Sequence, residues 1–154
     1  MVGIPYKASL VEEDVIGRYL CLDGDYIVRV TGDDIFMSQD YFDVLMSGIE
    51  SGHSYVYMKG RHVKGMECEI YERDTMVRVY DGLDEDQRRM SEYMSWYFRY
   101  NPIVMQSGYE YAPSGRVELD TVDDYEERVK PYAKYLRENN ILPSVNSYVK
   151  FTSR

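Results

Sequence analysis

Alanine is nearly absent from this chain, with three in 154 residues at Ala8, Ala112 and Ala133. A sequence short of the best helix former leans away from an all-helical bundle. Histidine and cysteine are as scarce, with two of each. Cys21 and Cys68 stand far apart and outside any CxxC pair, which excludes a disulfide framework and predicts free thiols in a reducing compartment, with one disulfide left open. His53 and His62 lack further ligands at a recognised zinc spacing, so no metal site and no cofactor is expected. Walker loops, dinucleotide fingerprints and glycine-bracketed nucleophile elbows are missing too. No apolar run is long enough to cross a bilayer, and the start MVGIPYKASL is not a cationic then apolar leader. A soluble, cytoplasmic protein without membrane contact is expected.

Basic residues are in deficit, 18 Lys and Arg against 27 Asp and Glu, for a formal charge of −9. The imbalance sits early, since residues 1–60 carry ten acids and four bases. That field argues against direct nucleic-acid binding by broad phosphate neutralisation and against anionic lipid surfaces. It suits a basic protein surface as partner. The oligomeric state is not legible.

Tyrosine is what the chain has in quantity, 17 against four Phe and one Trp. Tyrosine favours strands and interfaces. With 44% hydrophobic residues, a chain of this length buries roughly two thirds of its unfolded surface as one domain. The sequence therefore predicts a single α+β domain over residues 1–154, an antiparallel sheet of five to seven short strands covered by two or three helices.

The helix predicted over Asp84–Tyr100 is the centre of that scheme. Met90, Tyr93, Met94 and Tyr97 share one helical face, extended by Leu83 and Phe98 and flanked by Trp96 and Tyr100. Asp84 and Gln87 form a capping box and Asn101-Pro102 a stop. Around it, Leu22-Asp23-Gly24-Asp25 reads as a hairpin turn between strands at Arg18–Cys21 and Tyr26–Val30. A short helix runs from Ser38 or Asp40 to Ile49. Strands are expected at Ser54–Met58, Met66–Tyr71 and Met76–Tyr80, with Glu69 and Arg78 as a cross-strand pair. A further hairpin turns at Ala112–Gly115. Thr121–Asn139 reads as a helix kinked at Pro131, and Ser147–Phe151 as a last edge strand.

Two sets of residues are candidates for function. Asp23, Asp25, Asp33 and Asp34, with Asp40 and Tyr41, form the acidic, tyrosine-bearing docking face. These aspartates cannot share one ion, because the strand between Asp25 and Asp33 spans about 26 Å. The basic loop KGRHVKG supplies Lys59, Arg61, His62 and Lys64, whose charge and flanking glycines suit an anion. Acids spaced about 6 to 7 Å apart on strands or helices can imitate a phosphate backbone. The reading favoured by residues alone is a non-enzymatic protein-binding or inhibitory module, a DNA mimic or regulator of viral or mobile-element type. The competing reading is a small enzyme acting on a phosphorylated or nucleotide substrate, with the 59–65 loop as its anion site.

Overall fold

The structure, a computed structural model, describes residues 14–90 and 94–154. The N-terminal decapeptide and the stripe residue Tyr93 lie outside the described residues, as does the side chain of Met90.

A four-stranded sheet forms the middle layer. Its strands are β1 (Tyr26–Arg29), β2 (Tyr55–Met58), β4 (Glu69–Glu72) and β5 (Gln106–Tyr109), in the order β1-β4-β2-β5. β4 runs antiparallel to both neighbours, with Val28 opposite Ile70 and Ile70 opposite Val56. β5 joins β2 in parallel. A second, two-stranded parallel ladder pairs β3 (Val63–Lys64) with β6 (Gly115–Arg116). The sheets are mixed where an antiparallel one was expected, although the α+β character holds.

Both faces of the main sheet are buried, so alternate residues along each strand enter different cores. Ile27, Tyr55 and Tyr71 face α1 (Gly17–Leu20), α3 (Arg73–Asp81) and α5 (Met94–Arg99), against Ile16, Met76, Val79, Met94 and Phe98. Val56 and Ile70 face α2 (Gln39–Glu50), α7 (Lys130–Asn139) and α8 (Val145–Thr152), against Leu45, Ile49, Tyr132 and Leu136. Phe98 meets Tyr71 edge-on at 4.8 Å and tilts over Tyr55 at 5.7 Å. Removing a fully buried ring of this kind costs about 3 to 5 kcal/mol.

The central helix is present as α4 (Glu85–Met90) and α5, and its start is the expected reciprocal cap. The Asp84 N–H donates to Gln87 Oε1 at 2.9 Å, and the Gln87 N–H to Asp84 Oδ1 at 2.8 Å. Its buried face is narrower than predicted, because Trp96 and Tyr100 are exposed.

Four other segments depart from the sequence reading. Residues 76–80 belong to α3, where Met76, Val79 and Leu83 bury at helical spacing. Arg78 consequently lies 4.0 Å from Glu72, and Glu69 pairs with Arg29 at 2.9 Å. Residues 17–20 are helical, so only the second arm of the first hairpin is a strand. The segments around Ala112–Gly115 do not pair with each other; β5 goes to β2 and β6 to β3. Residues 145–152 form α8, whose Ser144 and Ser147 make a capping box.

The last long helix keeps its expected course. Thr121 caps α6 (Val122–Asp124), a π-helical turn follows at Tyr125–Val129, and α7 begins one residue before Pro131. Proline lacks an amide donor, and it follows directly on the π-helical turn, where the hydrogen-bond register of the helix changes.

Candidate functional site

The site forms where the end of β1, the β3 loop and the segment after β6 are laced together. The Asp34 N–H donates to Thr31 O at 3.0 Å, closing the turn after β1. The Leu119 N–H donates to Asp33 O at 3.1 Å, the Val117 N–H to Lys64 O at 2.7 Å and the Gly115 N–H to His62 O at 3.2 Å. Gly65 makes this close approach possible. Its φ is +91°, and a Cβ there would collide with the backbone of Val117 and Glu118.

This lacing gathers Asp33, Glu118 and Asp120. One carboxylate oxygen of each lies within 4.8 Å of the others, with the first two half-buried and Asp120 exposed. Glu118 and Asp120 follow the alternation Val117, Leu119 inward and acids outward, so both acids stand on one side of the strand-like segment. Arg116 counters them, with Nε 3.3 Å from Glu118 and a guanidinium pair to Asp120. Burial and the neighbouring Asp120 raise the pKa of Glu118 above the ordinary range. Three hard oxygen donors of this kind fit a magnesium-type cation that completes its shell with water and substrate oxygens.

Asp33 and Glu118 open onto a cavity of about 300 Å³ that also reaches Asp34, His62, Lys64, Glu67, Arg29 and Arg99. Asp34 is buried, and desolvation pushes its carboxyl up to about 7, with Glu67, Asp33 and Glu118 adding repulsion. Across the cavity, Glu69 accepts from Arg29 and from the hydroxyls of Tyr55 and Tyr71, the latter two at 2.7 Å. The Arg99 guanidinium lies 4.4 Å over the Tyr57 ring, which stacks on Tyr55 at 5.0 Å. Carboxylates and cationic side chains thus line one cavity, an arrangement suited to a cation and a polyanion side by side.

The residues singled out from sequence are divided by the structure. Of the basic loop, His62 and Lys64 line the cavity, whereas Lys59 and Arg61 are exposed and do not line it. Asp33 and Asp34 line it as well. Asp23 and Asp25 are exposed at the turn before β1, and Asp25 borders a separate small depression with Glu72, Arg73 and Asp74. Asp40 accepts from the Val145 N–H at 2.8 Å, anchoring the start of α8. Tyr41 is fully buried, its hydroxyl accepting from the Val63 N–H at 2.6 Å. The six residues of the expected docking face therefore do not share one outward surface. Sequence reasoning missed Glu118, Asp120, Glu67, Arg29 and Arg99, and the run Val117-Glu118-Leu119-Asp120 was the signal available for the first two.

No protein-family model matches the chain, and no curated protein is similar to it. Among solved structures, the fold is similar to that of a cytidylyltransferase from Leptospira borgpetersenii serovar Hardjo-bovis (strain JB197). The TM-score is 0.66 at 18% identity, covering 92% of this chain and 61% of that one. This chain thus spans about three fifths of the length of that structure's chain. The likeness is one of fold, and it overturns the expectation of a non-enzymatic inhibitor, DNA mimic or viral regulator. Among the described residues no helix is long and apolar enough to cross a membrane.

Proposed function

We propose that the chain is a nucleotide-handling enzyme, or the part of one that carries a divalent-cation and phosphate site, acting in nucleotidyl transfer. The observation that carries this reading is the convergence of Asp33, Glu118 and Asp120, the first two lining a cavity that Lys64, Arg29 and Arg99 also line. The cytidylyltransferase-like fold supports it and makes a cytidine nucleotide the first substrate to test.

In this reading Asp33, Glu118 and Asp120 hold the cation, exchanging the Arg116 pairing for it. A bound cation of this type would neutralise charge on a phosphate chain and orient it for displacement. Lys64, which lines the same cavity, binds phosphate oxygens. Arg99 and Tyr57 line the far wall, where the group that receives the nucleotide would sit. Free Cys21 and Cys68 agree with a cytosolic setting in which nucleoside triphosphates are abundant.

The test is thermal unfolding with CTP, ATP, GTP and UTP, each with and without magnesium, alongside radiolabelled pyrophosphate exchange. At about a hundred times Kd, a bound nucleotide stabilises by roughly 2.7 kcal/mol. Asp33→Asn and Glu118→Gln should abolish the magnesium-dependent part. Equal unfolding with and without every nucleotide, in the full chain, would overturn the proposal.

A further inference from the structure

Two aromatic side chains that the helical stripe predicts to be covered stand in solvent instead. Trp96 is 57% exposed and Tyr100 is 88% exposed, four residues apart at the end of α5 and so on one side of it. The chain then turns, the Val104 N–H donating to Asn101 O at 3.0 Å and the Ile103 N–H to Asn101 Oδ1 at 3.2 Å. That turn adds Ile103, 44% exposed, and Met105, 63% exposed, at the same end of the helix. None of the four lines the cavity around Asp33, which meets α5 through Ser95 and Arg99. At about 200 Å² for a large side chain, these exposures leave roughly 500 Å² of mostly apolar surface. A patch of that extent on one small domain marks an interaction site.

The chemistry of the patch selects its occupant. Residues Tyr100 to Tyr109 include no charged side chain, in a chain that is 29% charged and carries −9. A nucleic acid, an anionic membrane or a strongly charged protein would find no counter-charge there. Two copies of this chain repel each other through their net charge, and an uncharged stretch is where they can meet at least cost. The rim is self-complementary as well. Asn101 uses its Oδ1 on the Ile103 N–H and keeps its Nδ2 amide as a donor, while Gln106 uses its Nε2 on the Arg99 carbonyl and keeps Oε1 as an acceptor. Across a two-fold axis, Asn101 of each copy can therefore donate to Gln106 of the other. Leu142, 84% exposed, is the contrasting case. It follows Ile141 of a groove that holds Lys150 and Arg154 and no acidic side chain, which would set like charges face to face across such an axis.

We infer that Trp96, Tyr100, Ile103 and Met105 form the contact through which two copies of this chain pair about a two-fold axis, with Asn101 and Gln106 hydrogen-bonded across it. With its rim the patch approaches the ~800 Å² that each partner gives to a standard interface. The pairing needs neither nucleotide nor cation.

Sedimentation equilibrium of the full chain from about 1 µM to about 300 µM brackets a micromolar Kd. A monomer–dimer equilibrium in that range is expected, the weaker end of what an interface of this size gives. It should tighten between about 0.15 M and about 0.5 M NaCl, as repulsion between two copies of charge −9 is screened. Tyr100→Asp and Met105→Asp should each raise Kd at least about tenfold, the loss of a central contact residue. The unfolding temperature of dilute protein checks that each variant is folded. Leu142→Asp should leave Kd within about twofold. Asn101→Asp sets a carboxylate against Gln106 of the other copy and should weaken the dimer, and adding Gln106→Lys should restore it. A chain that stays monomeric throughout, a dimer indifferent to Tyr100→Asp and Met105→Asp, an equal loss with Leu142→Asp, or no rescue by Gln106→Lys overturns the proposal. So does growth into higher oligomers, which means a head-to-tail contact, or a monomer that binds phosphatidylcholine vesicles through Tyr100, which means a membrane face.

Discussion

Replacing Asp34 with asparagine should make the protein more stable, and increasingly so as pH rises. Asp34 is 8% exposed and faces like charges from Glu67, Asp33 and Glu118, and its carboxyl is raised from 3.8 to about 7. The folded chain thus holds this proton more tightly than the unfolded chain does. Below about pH 4 both states are protonated and the group imposes no penalty. As pH climbs toward 7 the folded state must keep the proton or accept a buried charge, and above about pH 7 the penalty is complete. Each tenfold gain in proton affinity is worth about 1.4 kcal/mol, so the penalty reaches about 4 kcal/mol. This is an upper bound, since water and counter-cations reach the cavity. For a domain of this size it amounts to roughly 10 °C in Tm. Asparagine retains an acceptor for the Thr31 hydroxyl that Asp34 now engages. Thermal unfolding of both proteins from about pH 4 to about pH 8.5 should give curves that meet at the acid end and diverge at the alkaline end. Groups shared by the two, Glu118 among them, cancel in the difference. Parallel curves would show that Asp34 is solvated and charged in the folded state, and would remove the crowded acidic wall from the description of the site.

Two further substitutions probe the scaffold. Tyr41→Phe leaves the buried Val63 N–H without its acceptor and should cost about 1 to 3 kcal/mol in urea unfolding; an unchanged midpoint would mean that water reaches that amide. Gly65→Ala places a side chain at a φ of +91° against the Val117–Glu118 backbone. It should destabilise the fold by more than about 1 kcal/mol and remove the magnesium-dependent protection by nucleotide. Intact protection would show that Glu118 does not need that close approach.

The elements legible in the sequence are those whose signal is local and long. The helix over residues 39–50 shows its repeat in Leu45 and Ile49, and the caps at Asp84 and Thr121 announce themselves by residue type. Met76–Tyr80 reads as a strand because Val77 and Val79 alternate with Arg78, but so short a stretch does not exclude a helix, and burial of Thr75, Met76 and Val79 against one core makes it one. The parallel pairings of β2 with β5 and of β3 with β6 join distant segments, and no local residue pattern encodes them. The site suffers most from this. Asp33 and His62 stood out as residue types, but what Asp33 meets is supplied by residues 118 and 120, reached only through that non-local pairing. The acidic surplus, read as an outward field, is in part a crowded inner wall.

The ladder between β3 and β6 is only two residues long, yet it joins the region of Asp33 and Lys64 to that of Glu118 and Asp120. A seam so short has little strength of its own. An ion seated between Asp33 and the two later acids would act there as a removable rivet, fastening the early and late parts of the polypeptide to each other. Resistance to proteolysis would then report on cation supply, with the first cuts falling in residues 116–121 whenever the rivet is withdrawn, since the helices beyond are held in the core by Tyr132, Leu136 and Val145.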